Sequence, residues 1–199
     1  MRRILFVLST VVAMCACASG DRPLDQFEPI ESTTVLAAPA PANTTGDTID
    51  VVAQGKYLVE LLGCGACHTD GALIGNANAA RALAGSRIGL AHSNPLMTKK
   101  PGVVFPSNLT SDVETGIGGM SDQELRRAIR SGVGRHGVGS LKVMPITALA
   151  LLNDRDLDAI VMYLRSLEPV SHRVPDAVPE GKATAELYVH FGVYRSREN

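Results

Sequence analysis

Hydrophobic positions recur with helical spacing in three stretches of this chain. Val51, Gly55, Leu58, Val59 and Leu62 fall on one face of a helix that Thr48 or Asp50 can cap. Ser121 and Glu124 form a capping box for Asp122–Ser131, where Leu125, Ala128 and Ile129 make the apolar stripe and Gly132 ends the helix. In the third stretch, Asp154 to Leu167, the face carries Leu157, Ile160, Val161 and Leu164, with Asn153 and Asp156 as a capping pair and Pro169 beyond the end. Gly55 costs a helix interior about 1 kcal/mol relative to alanine, so its place there predicts close approach of another helix. The last helix is the expected neighbour, with Tyr163 in the notch. These patterns predict an all-α fold.

The remaining segments read differently. Thr69 to Asn108 is long, glycine-rich and weakly periodic, and a loop of that length in a small domain is usually functional or wrapped around something. Arg126, Arg127 and Arg130 are expected on the outer side of their helix, as a solvated face or a docking patch for an acidic partner. After Pro169, Pro175 and Pro179, Leu187, Val189, Phe191 and Val193 alternate with Tyr188, His190, Gly192 and Tyr194, the period of a short strand. A helical domain offers such a strand no sheet. It is therefore expected as a strap over the domain, or as a segment that adds to a partner's sheet edge.

The N-terminus has a basic start at Met1-Arg2-Arg3, an apolar run from Ile4 to Met14, and small residues at Ala16-Cys17-Ala18. That run is shorter than a membrane span and reads as an export signal. Two outcomes are open: cleavage after Ala18, or lipidation of Cys17, since Met14-Cys15-Ala16-Cys17 also resembles a lipoprotein signal. Residues 19–47, with Pro39-Ala40-Pro41-Ala42, read as a flexible linker. The domain boundaries are thus 1–18 for the signal, 19–47 for the linker, 48–170 for the folded domain and 171–199 for a C-terminal extension.

The chemistry concentrates at Cys64-Gly65-Ala66-Cys67-His68. Two thiols three positions apart can each add to a vinyl group of one haem, and the histidine that follows supplies a neutral nitrogen ligand for the iron. A thioredoxin-like redox pair would need a strand before the motif, and here a helical run precedes it. A structural zinc site would need four ligands, and the only other cysteines are Cys15 and Cys17 in the leader. No cysteine remains for a structural disulfide. The formal charge of −1, lower still once Arg2 and Arg3 leave with the leader, gives no footprint for nucleic acid. Tryptophan is absent and aromatic content is 4%, as expected if the large flat hydrophobe of the core is a cofactor.

The second axial ligand decides what such an iron can do. A methionine thioether favours Fe(II) and suits an electron carrier. Met144, stiffened by Pro145 and placed just before the terminal helix, is the expected donor. The competitors are Met97, Met120 and Met162, with His92, His136, His172 and His190. Met162 reads as packing, and His136 as an exposed loop histidine.

Taken together, these motifs resemble a family. Gly55-Lys56-Tyr57-Leu58-Val59, Gly63 and the CGACH run resemble the start of monohaem class I c-type cytochromes. Ser107-Asn108-Leu109-Thr110-Ser111-Asp112 and Thr115-Gly116-Ile117-Gly118-Gly119-Met120-Ser121-Asp122 resemble cytochrome c modules in the cytochrome subunits of periplasmic alcohol, gluconate and aldehyde dehydrogenases. The resemblance covers roughly Thr48 to Val170. It implies a small class I cytochrome c fold, with N- and C-terminal helices crossing around one covalent haem c. It also implies a periplasmic single-electron carrier, not an enzyme, that serves a dehydrogenase donor and an oxidase or other cytochrome as acceptor. Proline usually stands where this chain has Ser111, and an aromatic residue where it has Met120, so propionate anchoring by an indole is not carried over. Family subunits often hold two or three haems, and this chain has one CxxCH. The rival readings are a haem enzyme and a gas sensor, each with a labile or absent sixth ligand. No acid–base group for peroxide chemistry stands out.

Overall fold

The computed structural model describes residues 27–30, 50–133 and 143–196. The leader, including Cys15 and Cys17, most of the 19–47 segment, and His136 lie outside the described residues. Helix α1 (Val51–Leu61) starts where Asp50 Oδ1 accepts from the Val52 and Ala53 amides, at 3.0 and 3.2 Å. Helix α5 (Asp154–Ser166) starts where Asn153 Oδ1 accepts from Asp156 N at 2.9 Å. The two helices pack together at Gly55. A Cβ there would fall 1.9 Å from the Ala159 carbonyl oxygen and 2.7 Å from Tyr163 Cβ, so only glycine lets the backbones meet.

Around this contact lies the core: Leu58 and Val59 from α1; Ile160, Val161 and Leu164 from α5; and Leu83, Ile117 and Leu125 from between them. Burying each such side chain stabilises the fold by roughly 1.5–3 kcal/mol. Leu125 belongs to helix α3 (Asp122–Ser131). Its start is a full capping box, in which Ser121 N donates to Glu124 at 2.7 Å and Glu124 N donates to Ser121 Oγ at 3.3 Å. Gly132, at φ 67°, ends it.

Of the α3 arginines, Arg127 is exposed as expected, while Arg126 and Arg130 have a second role. Arg126 pairs with Asp158 at 2.5 Å and Arg130 with Asp154 at 2.8 Å, so both tie α3 to α5. From α5, Arg165 reaches Asp122 Oδ1 at 3.0 Å and donates to the Ile117 and Met120 carbonyls, closing the same joint from the other side.

The fold is mostly helical, as expected, but it also carries small sheets that the all-α reading does not include. Two strands, β2 (Gly89–Ala91) and β3 (Val103–Val104), pair antiparallel, and β4 (Tyr188–Val189) from the C-terminal extension joins β2 in parallel register. Val178 bridges Val103 on the outer side. The strands are too short for a period to show, but Leu90, Ala91, Val103, Val104 and Phe105 are buried, a satellite core that continuous apolar runs can form. The extension therefore has a sheet to join, contrary to expectation. Its residues also do not form one strand: Leu187 and Phe191 stay exposed, while the chain breaks between β4 and β5 (Val193–Ser196). Within the expected linker, strand β1 (Phe27–Ile30) pairs antiparallel with β5. No helix among the described residues is long and apolar enough to cross a membrane.

Candidate functional site

Gly63 sits at φ 68°, a left-handed conformation that lets α1 stop and α2 (Cys64–His68) begin at once in a new direction. Cys64 and Cys67 are one helical turn apart and so share a face. Both thiols are free and partly buried. Burial pushes the Cys64 thiol up, with the neighbouring Cys67 adding to it, and burial also raises Cys67. Neither is the lowered, thiolate-like cysteine of a redox CxxC pair. Among the described residues no three His, Cys, Asp or Glu side chains converge as metal ligands. The two sulfurs and the imidazole therefore do not point at one ion.

His68 closes the turn. Its Nδ1–H donates to the Ser107 carbonyl at 2.8 Å. That bond fixes the ring orientation and the tautomer, leaving Nε2 unprotonated as an acceptor or ligand. Desolvation holds the imidazole below its ordinary pKa against the opposing pull of the Ser107 bond, so the ring is neutral at neutral pH. Two small thiols and an oriented neutral imidazole on one turn are a donor set that fits covalent haem attachment.

The segment that presents the Ser107 carbonyl is built by Asn108, which is 2% exposed. Its Nδ2 donates to Thr115 Oγ1 at 3.0 Å and to the Val170 carbonyl at 2.7 Å, while its Oδ1 accepts from Thr110 N and Oγ1. Every donor and acceptor of this buried amide is thus used. Asp112 holds the next turn: its carboxylate accepts from Thr115 Oγ1 and N, both at 2.7 Å, and these bonds keep its pKa below the usual range. Ser111 Oγ donates to the Leu167 carbonyl at 2.5 Å, a bond the proline expected there could not make. Met120 lies against the core, and its carbonyl is held by Arg165.

A second cluster lies behind the turn. Asp70 accepts from the Arg81 guanidinium at 2.9 Å and the Arg87 amide at 3.0 Å. Burial alone would raise its carboxyl, but those bonds, with His172 nearby, hold it below its ordinary value. His172 is buried; its Nδ1–H donates to the Ala84 carbonyl at 2.9 Å, and its Nε2 lies 3.4 Å from Arg81 Nη1 and 3.9 Å from Asp70. Both ring nitrogens are occupied within this cluster, which leaves His172 no part as an axial ligand. Leu83, between the two clusters, is the one non-glycine residue at positive φ among those described (57°). Its amide donates to Thr69 Oγ1 and its carbonyl accepts from Leu109 N, so neighbours on both sides impose the conformation.

Of the sequence-predicted residues, the fold brings Cys64, Cys67 and His68 together. Met144 lies on a separate segment, half-buried, ahead of the proline that opens helix α4 (Ile146–Leu149), which packs on α3. Met97 is 78% exposed and Met162 50%, so Met120 and Met144 are the half-buried thioethers among those described. Sequence reasoning does not single out Ser107 and Asn108 as site residues. No local sequence signal marks a backbone carbonyl as the partner of a histidine 39 residues away.

No family model matches the chain. Its relatives include a nicotinate dehydrogenase chain of Pseudomonas putida, 34% identical over 61% of this chain and 9% of the relative. The gluconate 2-dehydrogenase cytochrome c subunit of Pantoea cypripedii is 29% identical over 64% of this chain and 26% of the relative. The cytochrome c subunit of the quinone alcohol dehydrogenase of Gluconacetobacter polyoxogenes is 28% identical over 81% and 31%. The chain thus spans less than a third of these relatives' lengths. It resembles cytochrome c subunits of dehydrogenases, as its motifs do.

Proposed function

We propose that this chain is a single-electron carrier of the class I cytochrome c type, with α1 and α5 crossing beside one haem c. Cys64 and Cys67 attach the haem, His68 is the proximal ligand and Met144 the distal one. When bound, the haem iron supplies a reversible one-electron couple. The chain's own residues do the rest. The observation that carries the reading is the 2.8 Å bond from His68 Nδ1–H to Ser107 O, which aims a neutral Nε2 away from the backbone on the same turn as two protonated thiols. The buried Asn108 network keeps that carbonyl in place, so the imidazole need not reorient between oxidation states.

The leader motif and the relatives support a cellular role. The protein is exported to the periplasm, where it accepts electrons from a dehydrogenase and passes them to an oxidase or another cytochrome. Lipidation at Cys17 would anchor it to a membrane, and cleavage after Ala18 would release it. The axial pair is tested by spectroscopy: the ferric protein should be low-spin with the weak far-red sulfur-to-iron band, and Met144→Ala should abolish the band. A wild type that is high-spin and binds carbon monoxide at once would support a haem enzyme or gas sensor instead. A band that survives the substitution would move the ligand to Met120.

A further inference from the structure

The loop 92–102, which joins β2 to β3, is folded tightly on itself. Asn94 Oδ1 accepts from Leu96 N at 2.9 Å, the Asn94 carbonyl accepts from the Met97 and Thr98 amides, and Ser93 Oγ accepts from Gly102 N at 2.9 Å. Yet this ordered turn presents its apolar residues outward: Met97 is 78% exposed and Leu96 39%. Strand register brings more groups to the same end. Val103 and Val178 exchange both backbone hydrogen bonds at 2.8 Å, and Gly181 N donates to the Lys100 carbonyl at 2.9 Å, which sets Lys182 beside Lys99 and Lys100. Because β4 runs parallel to β2, the chain leaving Val189 emerges there too, with Phe191 70% exposed. Three of the chain's five lysines thus gather at one end of a protein whose formal charge is −1. Glu180 accepts from Thr98 Oγ1 at 3.1 Å within this end, and the positive charges outnumber it.

We propose that this end of the small sheet, with Leu96, Met97 and Phe191 among Lys99, Lys100 and Lys182, docks on an anionic lipid surface. Charge complementarity selects the occupant's sign, and shape selects its class. A protein interface needs a broad, close-packed patch of about 800 Å² on each side. An exposed turn with a few apolar side chains beside three exposed lysines instead suits the headgroup zone, where the apolar atoms enter, the lysine stems lie along the boundary and the ammonium groups meet lipid phosphates. This docking holds whether or not the haem ligation above is right.

Co-sedimentation of the full chain with vesicles tests it. The wild type should bind phosphatidylglycerol–phosphatidylcholine vesicles, bind phosphatidylcholine alone far more weakly, and lose affinity as salt rises. The pair Lys99→Glu with Lys100→Glu should weaken binding about tenfold or more. Met97→Asp should weaken it without altering the thermal melt, and Lys56→Glu on α1 should change nothing. Equal binding to both vesicle types, or binding that survives the loop substitutions, would assign attachment to another part of the chain and overturn the proposal. Absence of vesicle binding, with the loop variants slowing electron transfer to a protein acceptor, would overturn it in favour of an acidic protein partner.

Discussion

Two parts of the molecule are held by different means. The helical part, α1 with α3 and α5, is joined by side chains: Leu and Val layers, the Gly55 notch, and arginines bridging α3 to α5. The flank built from β2, β3 and β4 is joined largely by backbone, through strands of two or three residues whose partners lie far along the chain. The CGACH turn hangs from the first part, while the second part frames the loop that leads to Ser107. The helical part should therefore be sensitive to single side-chain changes, and the flank to loss of whole segments.

The largest effect should come from Gly55→Leu. A side chain there meets the Ala159 carbonyl and Tyr163 Cβ, so the helices must separate and open the core. We expect a loss of about 3 kcal/mol or more, read as a fall in Tm on the order of 10 °C. An unchanged melt would mean that α1 and α5 do not meet at this residue. Next is Asn108→Ala, which strands the buried Thr110 amide and leaves the Val170 carbonyl only its 3.4 Å bond from Thr110 Oγ1. Denaturant unfolding should show about 2–3 kcal/mol lost, and the His68 environment should change with it, since Ser107 is the neighbouring residue. A variant that loses stability but keeps its spectrum would separate the network from the site.

The flank provides the contrasting test. Truncation after Pro179 removes β4 and β5 while leaving the Val103–Val178 bridge. The expected loss is about 1–2 kcal/mol, with local hydrogen exchange rising at Gly89, whose amide donates to the Leu187 carbonyl. No change in stability or exchange would mean that the extension does not strap the domain. The smallest effect concerns pH. Asp70 has a folded pKa below its unfolded value of about 3.9. Its contribution is present above that value and lost as pH falls through the lower folded value. Asp70→Asn should therefore flatten the acid side of the stability profile and leave its neutral side parallel to the wild type. An acid limb of unchanged slope would remove Asp70 from the account.

What could be read in advance follows the same division. Each helix carries its own start, stop and apolar face: Asp50, Ser121 with Glu124, and Asn153 are legible because a cap acts within three residues. The CGACH turn is legible because its donors are adjacent. Leu90 and Val104 form a ladder too short to show alternation, and Tyr188 joins it from nearly a hundred residues away. Ser107 is hidden for a different reason: it serves His68 through its carbonyl, which every residue possesses. Arg126 and Arg130 mislead because a helix pattern gives their side of the helix but not the acidic face of α5 that meets it.

The central claim is that Cys64 and Cys67 carry a haem by covalent bonds, and the most direct measurement is whether haem stays with the polypeptide through acidic organic extraction and denaturing electrophoresis. The account predicts that haem absorbance and peroxidase staining migrate with the chain, that the mass exceeds the apo-polypeptide by one haem, and that Cys64→Ser or Cys67→Ser sharply lowers the yield of holoprotein. Haem recovered in the organic phase, with a polypeptide of apo mass, would contradict it.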